Sequence, residues 1–208
     1  KREAPADGAA PTEPEPTADG DRIKLGLLYL ESADKRFRFD LKGRVIAEYN
    51  FSDHGQEDFD NSFAARQVRL NLKGKLWERV SFQIALEFGR GASDPLRQGW
   101  VNLKVFDWLQ LKGGQDKLPL SFTFLEPFKY MNHAEWPIAV GSEVQNFEVG
   151  AQLWGWLFEK KIKYVLAAFN GNGPNRRRDR DDDSDFVARV EVLPIKGLNI
   201  HVAGAFTP

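Results

Sequence analysis

The residues best suited to do chemistry in this chain are seven cations, spaced at intervals of two and four residues along two predicted β-strands. They share one strand face and are Arg36, Arg38, Lys42, Arg44, Arg69, Lys73 and Lys75. Only Asp40 and Glu48 oppose them on that face, which leaves a surplus of five positive charges. A row of fixed cations lowers the energy of a passing anion, and the planar guanidinium of arginine donates two hydrogen bonds to a phosphate at once. The pattern therefore predicts a surface that attracts small anions.

These cations are positioned by a long alternation of polar and apolar residues that begins at Arg36. The odd positions form the apolar set, which comprises Phe37, Phe39, Leu41, Gly43, Val45, Ala47, Tyr49 and Phe51. Successive side chains of a β-strand point to opposite faces, whereas helical spacing would mix the two sets. Ile46 alone departs from the pattern. The run greatly exceeds the ~5–6 residues usual in soluble strands, so it predicts a long strand.

Similar alternation continues along the chain and predicts nine strands and no convincing helix. The nine runs cover residues 36–51, 68–76, 80–88, 101–105, 109–113, 149–158, 162–170, 186–192 and 198–206. Residues 23–34 are ambiguous, because their leucines keep no clear period. Both faces of the run 149–158 are apolar, which we interpret as a contact between subunits. The predicted fold class is all-β and antiparallel.

The connections between these runs alternate between tight turns and long loops. The tight turns fall at Gly74–Arg79, Phe106–Trp108, Glu159–Lys161 and Leu193–Gly197. The long loops are Ser52–Ser62, Gly89–Arg97, Lys117–Phe147 and Gly171–Ser184. Short turns at one rim and long loops at the other are the plan of a transmembrane up-and-down β-barrel, whose outside is apolar and whose interior is wet. The alternatives are a small eight-stranded barrel, and a soluble β-sandwich or lectin-like domain with its apolar faces packed at the centre.

Composition excludes several other classes of protein. The chain has no cysteine, which excludes disulfide scaffolds, thiolate zinc sites and cysteine nucleophiles. Its 29 basic and 30 acidic residues nearly balance, whereas a dedicated nucleic-acid binder carries a basic excess. There is no Gly-x-Ser-x-Gly or Walker motif, and His54, His133 and His201 are too widely spaced for a metal motif. We therefore predict no enzymatic activity, no cofactor, no metal and no nucleic-acid partner.

Four stretches give the chain a resemblance to the phosphate-selective porin family of Gram-negative outer membranes, the O/P type. Phe39–Phe51 resembles the first long strand of that family, and Leu109–Phe122 resembles its segment with a Gly-Gln pair before Lys and Pro. Tyr164–Pro174 resembles its Phe-Asn-Gly strand and loop, and Arg189–Pro194 with Leu198–Phe206 resembles the hairpin that follows. The resemblance covers nearly everything after about residue 35. The four stretches also occur in the family's order and spacing, which makes the set specific as a whole.

The resemblance implies a barrel of about 16 strands, usually trimeric, that contacts lipid and lipopolysaccharide and passes anions such as phosphate. Nine strands would then be the N-terminal half of a larger porin, since single-chain bacterial barrels have an even number of strands. Residues 1–22 are rich in Ala, Pro and Glu and lack large apolar residues, so they predict a flexible periplasmic tether. Residues 23–208 are assigned to the barrel, with the N-terminus in the periplasm.

The longest loop, Lys117–Phe147, is expected to fold inward and narrow the pore, because long structured loops usually carry function. Lys117, Lys129 and His133 are its candidate anion contacts. The alternative is that the loop only packs its aromatic residues against the barrel wall. These aromatic residues are Phe122, Phe124, Phe128, Tyr130 and Trp136.

The sequence thus predicts a passive outer-membrane channel for small anions, with a cation-lined interior. Two alternatives stay open. The cations on the predicted strands could serve only to keep a wet interior hydrated, as any porin requires. The barrel could also be a structural or interaction protein that acts as a partner or scaffold for another envelope component.

Overall fold

The chain folds into one antiparallel sheet. The structure, a computed structural model, describes residues 24–26, 28–50, 62–89, 94–125, 147–175 and 184–207. In these ranges the strands are β1 (Lys24–Gly26), β2 (Tyr29–Glu31), β3 (Phe37–Asn50), β4 (Ser62–Leu76), β5 (Val80–Glu87), β6 (Leu96–Lys104), β7 (Gln110–Lys117), β8 (Phe147–Leu157), β9 (Ile162–Phe169), β10 (Asp185–Ile195) and β11 (Leu198–Phe206). One short helix, α1 (Phe122–Leu125), follows β7.

Each strand pairs with its neighbours in the chain, so the sheet has an up-and-down order from β1 to β11. The all-β, antiparallel prediction is confirmed, and β3 to β11 correspond to the nine predicted strands. The ambiguous region forms the short hairpin of β1 and β2, which pairs with β3 only between Arg38 and Asp40. Among the described residues β1 and β11 do not pair with each other, so this part of the sheet is open.

Register shifts interrupt the pairing of three strands near the limits of the predicted runs. In β10, Val192 faces Ile200 and Ile195 faces Leu198, which leaves an extra residue in that strand. Ile46 faces Gln67 and Ala47 faces Ala65, so Arg66 is an extra residue in β4. In the same way, Ala85 faces Gln98 and Leu86 faces Leu96, which leaves an extra residue in β6. A bulge reverses the alternation of side chains in its own strand. The pattern in β4 therefore began only beyond its bulge and the pattern in β10 ended at its bulge, although both strands continue through them. The predicted run of β6 began four residues after its bulge, so the bulge explains only part of that shortfall.

The alternation of short and long connections is confirmed. Only residues 77–79 separate β4 from β5, and only residues 196–197 separate β10 from β11. Between β7 and β8, by contrast, 29 residues intervene (118–146). The tight turns place consecutive side chains in the left-handed region, with φ of 46° at Trp77 and 58° at Glu78. Gly197, with a φ of 89°, adopts this conformation without the steric cost of a Cβ atom.

The two faces of the sheet have opposite character. The apolar face carries aliphatic side chains that are widely exposed, such as Val45 at 71% and Val202 at 72%. The polar face, which runs through Arg38 and Lys73 to Gln83, carries most of the buried polar side chains. Among the described residues nine polar side chains are buried, compared with only seven apolar side chains. A soluble sandwich would show the reverse, so the structure contradicts that alternative.

An apolar cluster lies on the polar face, where the chain after β7 folds back over the sheet. Leu118 packs there with Ala167, Phe169 and Val187, and Leu120 lies against the same cluster. None of the helices in the described ranges is long and apolar enough to cross a bilayer.

Candidate functional site on the polar face

Six of the seven predicted cations lie in β3 and β4, and the strand register brings them together. Arg38 faces Lys75, and Arg44 faces Arg69. Lys42 faces Asn71, and Lys73 faces Asp40. All of these side chains belong to the polar face, because residues two apart in a strand share a face.

Arg36 lies apart from this group. It precedes β3 in an exposed turn, where its Nε atom lies 3.3 Å from Asp34 Oδ2. The Ser32 hydroxyl donates to Asp34, and so does the backbone N–H of Arg36. These hydrogen bonds lower the pKa of Asp34, because they stabilise its carboxylate. Arg36 thus belongs to the turn rim.

The three predicted arginines that lie in β3 and β4 are held by polar partners. Arg38 donates from Nε and Nη2 to the two carboxylate oxygens of Asp40, at 3.0 and 2.9 Å, and lies 3.4 Å from Glu31. Arg69 forms an ion pair with Glu87 of β5 and donates from Nε at 2.9 Å. Arg44 donates from Nη2 to Gln67 at 2.6 Å.

The three lysines are different. Lys42, Lys73 and Lys75 are exposed on the polar face, and in the described part of the chain they form no ion pair. Lys73 faces Gln83 on β5, and Lys75 faces Ser81, so both neighbours on that side are uncharged. We call Lys42, Lys73 and Lys75 the lysine row. Among the described residues none of the three forms a salt bridge, although Lys42 and Lys73 lie close enough to Asp40 to interact with its carboxylate electrostatically.

Two carboxylates that pair with Arg38 and Arg69 were not apparent from the sequence. Glu31 and Glu87 lie outside the two strands from which the surplus of five charges was counted, and Glu87 is 18 residues from Arg69. Only the strand register shows that these groups meet. The signal available in the sequence was that Glu87 is a polar residue of the next alternating run.

The chain from Lys117 through α1 lies over the polar face, and we call it the inward segment. Lys117 Nζ donates to the carbonyl of Phe124 and lies 4.6 Å from the centre of its ring. Phe124 is 4% exposed, and its ring meets that of Phe147 edge-on at 5.5 Å. Phe122 stacks on His201 at 5.0 Å. The start of this loop therefore packs on the polar face, as the packing alternative expected, while Lys129 and His133 lie outside the described residues.

A network of polar side chains joins β6, β7 and β8 on this face. Asp116 accepts hydrogen bonds from Lys112 and Gln98 at 2.7 Å each. Asn102 donates to Gln110 at 3.1 Å and accepts from the indole of Trp154 at 2.8 Å. Trp154 thus points to the polar face, where its indole N–H has a hydrogen-bond partner. A contact between subunits is therefore not needed to explain this aromatic residue in the run 149–158.

A second set of hydrogen bonds fixes the start of the loop after β9. The buried carboxylate of Glu148 accepts from the backbone N–H of Gly173 at 2.9 and 3.0 Å. Gln115 accepts from the backbone N–H of Asn175 at 2.6 Å and donates to the carbonyl of Leu96 at 3.0 Å. This part of the long-loop rim is therefore bound to the sheet.

Beneath α1 the structure brings Lys117, a candidate from the sequence, together with three cations that the sequence did not single out. The four cations are Lys112, Lys117, Lys163 and Arg189. They line a cavity of about 340 Å³ together with two carboxylates, Asp116 and Glu191. β7 contributes two of these cations, and β9 and β10 contribute one each. Because the residues lie far apart in the sequence, no linear motif marks the group.

An up-and-down antiparallel sheet with an exposed apolar face and a charged polar face is the architecture of an outer-membrane porin. The sequence model of one family, phosphate-selective porin O and P, matches residues 39–205. The chain belongs to this family, which confirms the resemblance noted from the sequence. A search of curated proteins found no match. Membership assigns the chain to the outer membrane and to channels, as opposed to enzymes.

Proposed function

We propose that the protein is a passive diffusion channel that carries small anions such as phosphate across the outer membrane. The observation that supports this function is the lysine row, whose three charges lack a direct counter-ion in the described part of the chain. An anion moving along the polar face would be attracted by these ammonium groups at each step.

The arginines have a different task in this proposal. Asp40 neutralises Arg38 within β3, whereas Arg69 with Glu87 of β5, and Arg38 with Glu31 of β2, link neighbouring strands and keep the wall polar. The mobile ammonium groups of the lysine row provide the attraction, and their three donors each replace part of the hydration shell of a phosphate. Anion passage then needs no tight site, and weak binding lets the ion leave again.

The inward segment supplies the size limit. Lys117 and α1 lie on the polar face and are fixed by Phe124 and the cluster around Phe169. A rigid segment inside the pore excludes larger solutes, and we propose that Lys129 and His133 extend its anion contacts.

We further propose how the segments of the chain and the assembled protein are placed in the cell envelope. Residues 1–22 form a periplasmic tether, and residues 23–208 form the N-terminal half of a larger barrel, which closes when further strands pair with the open edges. The working unit is a homotrimer whose apolar face contacts lipid, while its long loops face lipopolysaccharide.

Conductance of the full-length protein in a planar bilayer tests this proposal. We expect ohmic channels, with a reversal potential in a KCl gradient that reports preference for chloride over potassium. A protein that inserts into the bilayer but passes no current would instead favour the scaffold alternative. A current with no preference for either ion would favour the alternative in which the lysine row only keeps the interior of the barrel hydrated.

A further inference from the structure

The cavity beneath α1 combines an excess of positive charge with an apolar wall. Four cations and two carboxylates line it, so it carries a surplus of two positive charges. Its volume of about 340 Å³ lies at the lower end of the range of small-molecule sites, which is ~300–1,000 Å³. We call this cavity the α1 pocket.

The carboxylates do not neutralise all of the cations. Asp116 lies 2.7 Å from Lys112, and Glu191 lies 3.4 Å from Arg189. Lys163 faces Glu191 across the β9–β10 pair but forms no salt bridge with it among the described contacts, and it stands over two indole rings, 5.3 Å from the centre of Trp154 and 5.5 Å from that of Trp156. The ammonium group of Lys163 is thus held at the wall of the pocket by aromatic rings.

Arg189 adds a donor that lacks an acceptor. Its side chain is 5% exposed, and Nη1 has no hydrogen-bond partner among the residues that the structure describes. A buried guanidinium N–H without an acceptor is costly, and such groups in native structures call for an explanation. Because Arg189 lines the pocket, a bound anion would supply the missing acceptor.

Apart from Gln152, the rest of the wall is largely apolar. Phe122, Leu125, Val165 and the ring of Trp154 line the same pocket. An inorganic anion would leave these surfaces without a partner, whereas a flat organic ring would bury them. Aromatic side chains stack well on other rings and contribute beyond the area they bury.

We propose that the α1 pocket binds an organic anion in which one carboxylate is attached to an aromatic ring. The carboxylate is held by Arg189 and Lys163, and the ring lies against Trp154 and Phe122. This inference rests on the proposed function and extends it, because it adds a second class of solute to the small inorganic anions.

Calorimetric titration of the full-length protein in detergent tests the proposal with four probes. Benzoate carries both features, acetate carries only the charge, benzyl alcohol carries only the ring, and inorganic phosphate is the reference anion. We expect benzoate to bind at least about tenfold more tightly than acetate or phosphate, a difference of about 1.4 kcal/mol. Equal affinities for benzoate and acetate, or for benzoate and benzyl alcohol, would overturn the proposal.

Variants locate the site. Trp154→Ala and Phe122→Ala should each weaken benzoate binding at least about threefold, because they remove aromatic wall. Trp108→Ala is the matched control, since Trp108 lies in the exposed turn between β6 and β7. Phe122→Ala changes no strand residue, so it keeps the test valid if Trp154→Ala misfolds.

A second pair of variants tests the charge. Lys163→Gln should weaken benzoate binding, whereas Lys196→Gln, in the exposed turn between β10 and β11, should not. Unchanged affinity in Lys163→Gln and Phe122→Ala would place benzoate elsewhere and refute the assignment. The titration measures binding and not current. An absence of conductance would therefore reject the channel function without deciding whether the α1 pocket binds benzoate.

Discussion

The lysine row makes the strongest quantitative prediction, because the structure separates it from the neutralised arginines. Replacing Lys42, Lys73 and Lys75 together by Gln removes three charges from the polar face. Replacing Arg69 and Glu87 together by Gln removes one charge of each sign and leaves the net charge unchanged. The two variants therefore alter the same region with very different effects on its field.

The expected magnitude follows from the spacing of the row. Lys73 and Lys75 are two residues apart, and Lys42 lies opposite Asn71, so the row covers about 14 Å of strand length. An anion about 7 Å from an ammonium group in water gains about 0.6 kcal/mol, and ions at 0.1 M salt reduce this by about half. The other two ammonium groups then lie about 10 Å away and add about 0.15 kcal/mol each, so the row contributes about 0.6 kcal/mol, or about threefold in the local concentration of a monovalent anion. Potassium is depleted by the same factor.

The assay is the reversal potential of single channels in a KCl gradient, which gives the chloride-to-potassium permeability ratio. The triple lysine variant should lower this ratio by an order of magnitude, and the effect should grow as the salt concentration falls. The Arg69 and Glu87 double variant should leave the ratio within about twofold, because its net charge is unchanged. Equal shifts in the two variants would refute the argument that the lysines alone carry the selectivity.

Three further predictions concern the wall and its rims. Gly155→Ala should destabilise the protein by about 1–3 kcal/mol in thermal unfolding, since an added Cβ would overlap the backbone of Trp108, whereas Gly204→Ala, with nothing nearby, should be tolerated. Brominated lipids should quench the fluorescence of Trp108, which is exposed beside the turn rim, more than that of Trp154 on the polar face, and equal quenching would contradict the assignment of the faces. The hydrogen bond and ion pair with Lys104 lower the pKa of Asp107, in the turn between β6 and β7, so the carboxylate stabilises the fold at neutral pH and this stabilisation is lost as the pH falls. The free energy of unfolding of Asp107→Asn should therefore depend less on pH in the acid range. An unchanged acid profile would argue against this contribution.

Much of the fold could be predicted from alternation alone, because side chains in a strand have a period of two whatever their partners are. The pattern gave the nine long strands, the alternation of rims and the two faces. It began late in β4, where the extra residue Arg66 reverses the period, and ended early in β10 at another extra residue, whereas the bulge at Arg97 explains only part of the shortfall in β6. A bulge depends on the register of the partner strand, and a single run of residues does not contain that information.

The candidate site could be predicted only in part. The cations of β3 and β4 were visible, because they lie close together in the chain. Their neutralisation by Glu87 was not, and neither was the meeting of Lys163 with Arg189, since these contacts join different strands. The packing of Phe124 also depends on how the loop returns to the sheet, which local sequence does not specify.

The anchoring of the segment that starts at Lys117 has a physiological consequence. Leu118 and Phe124 are buried against the wall, so moving this segment would expose apolar surface to water at a considerable cost in free energy. We therefore expect the molecular-weight cut-off to be a constant of the protein, indifferent to voltage. A cell that needs to change its uptake of solutes through this route would have to change how many copies it makes.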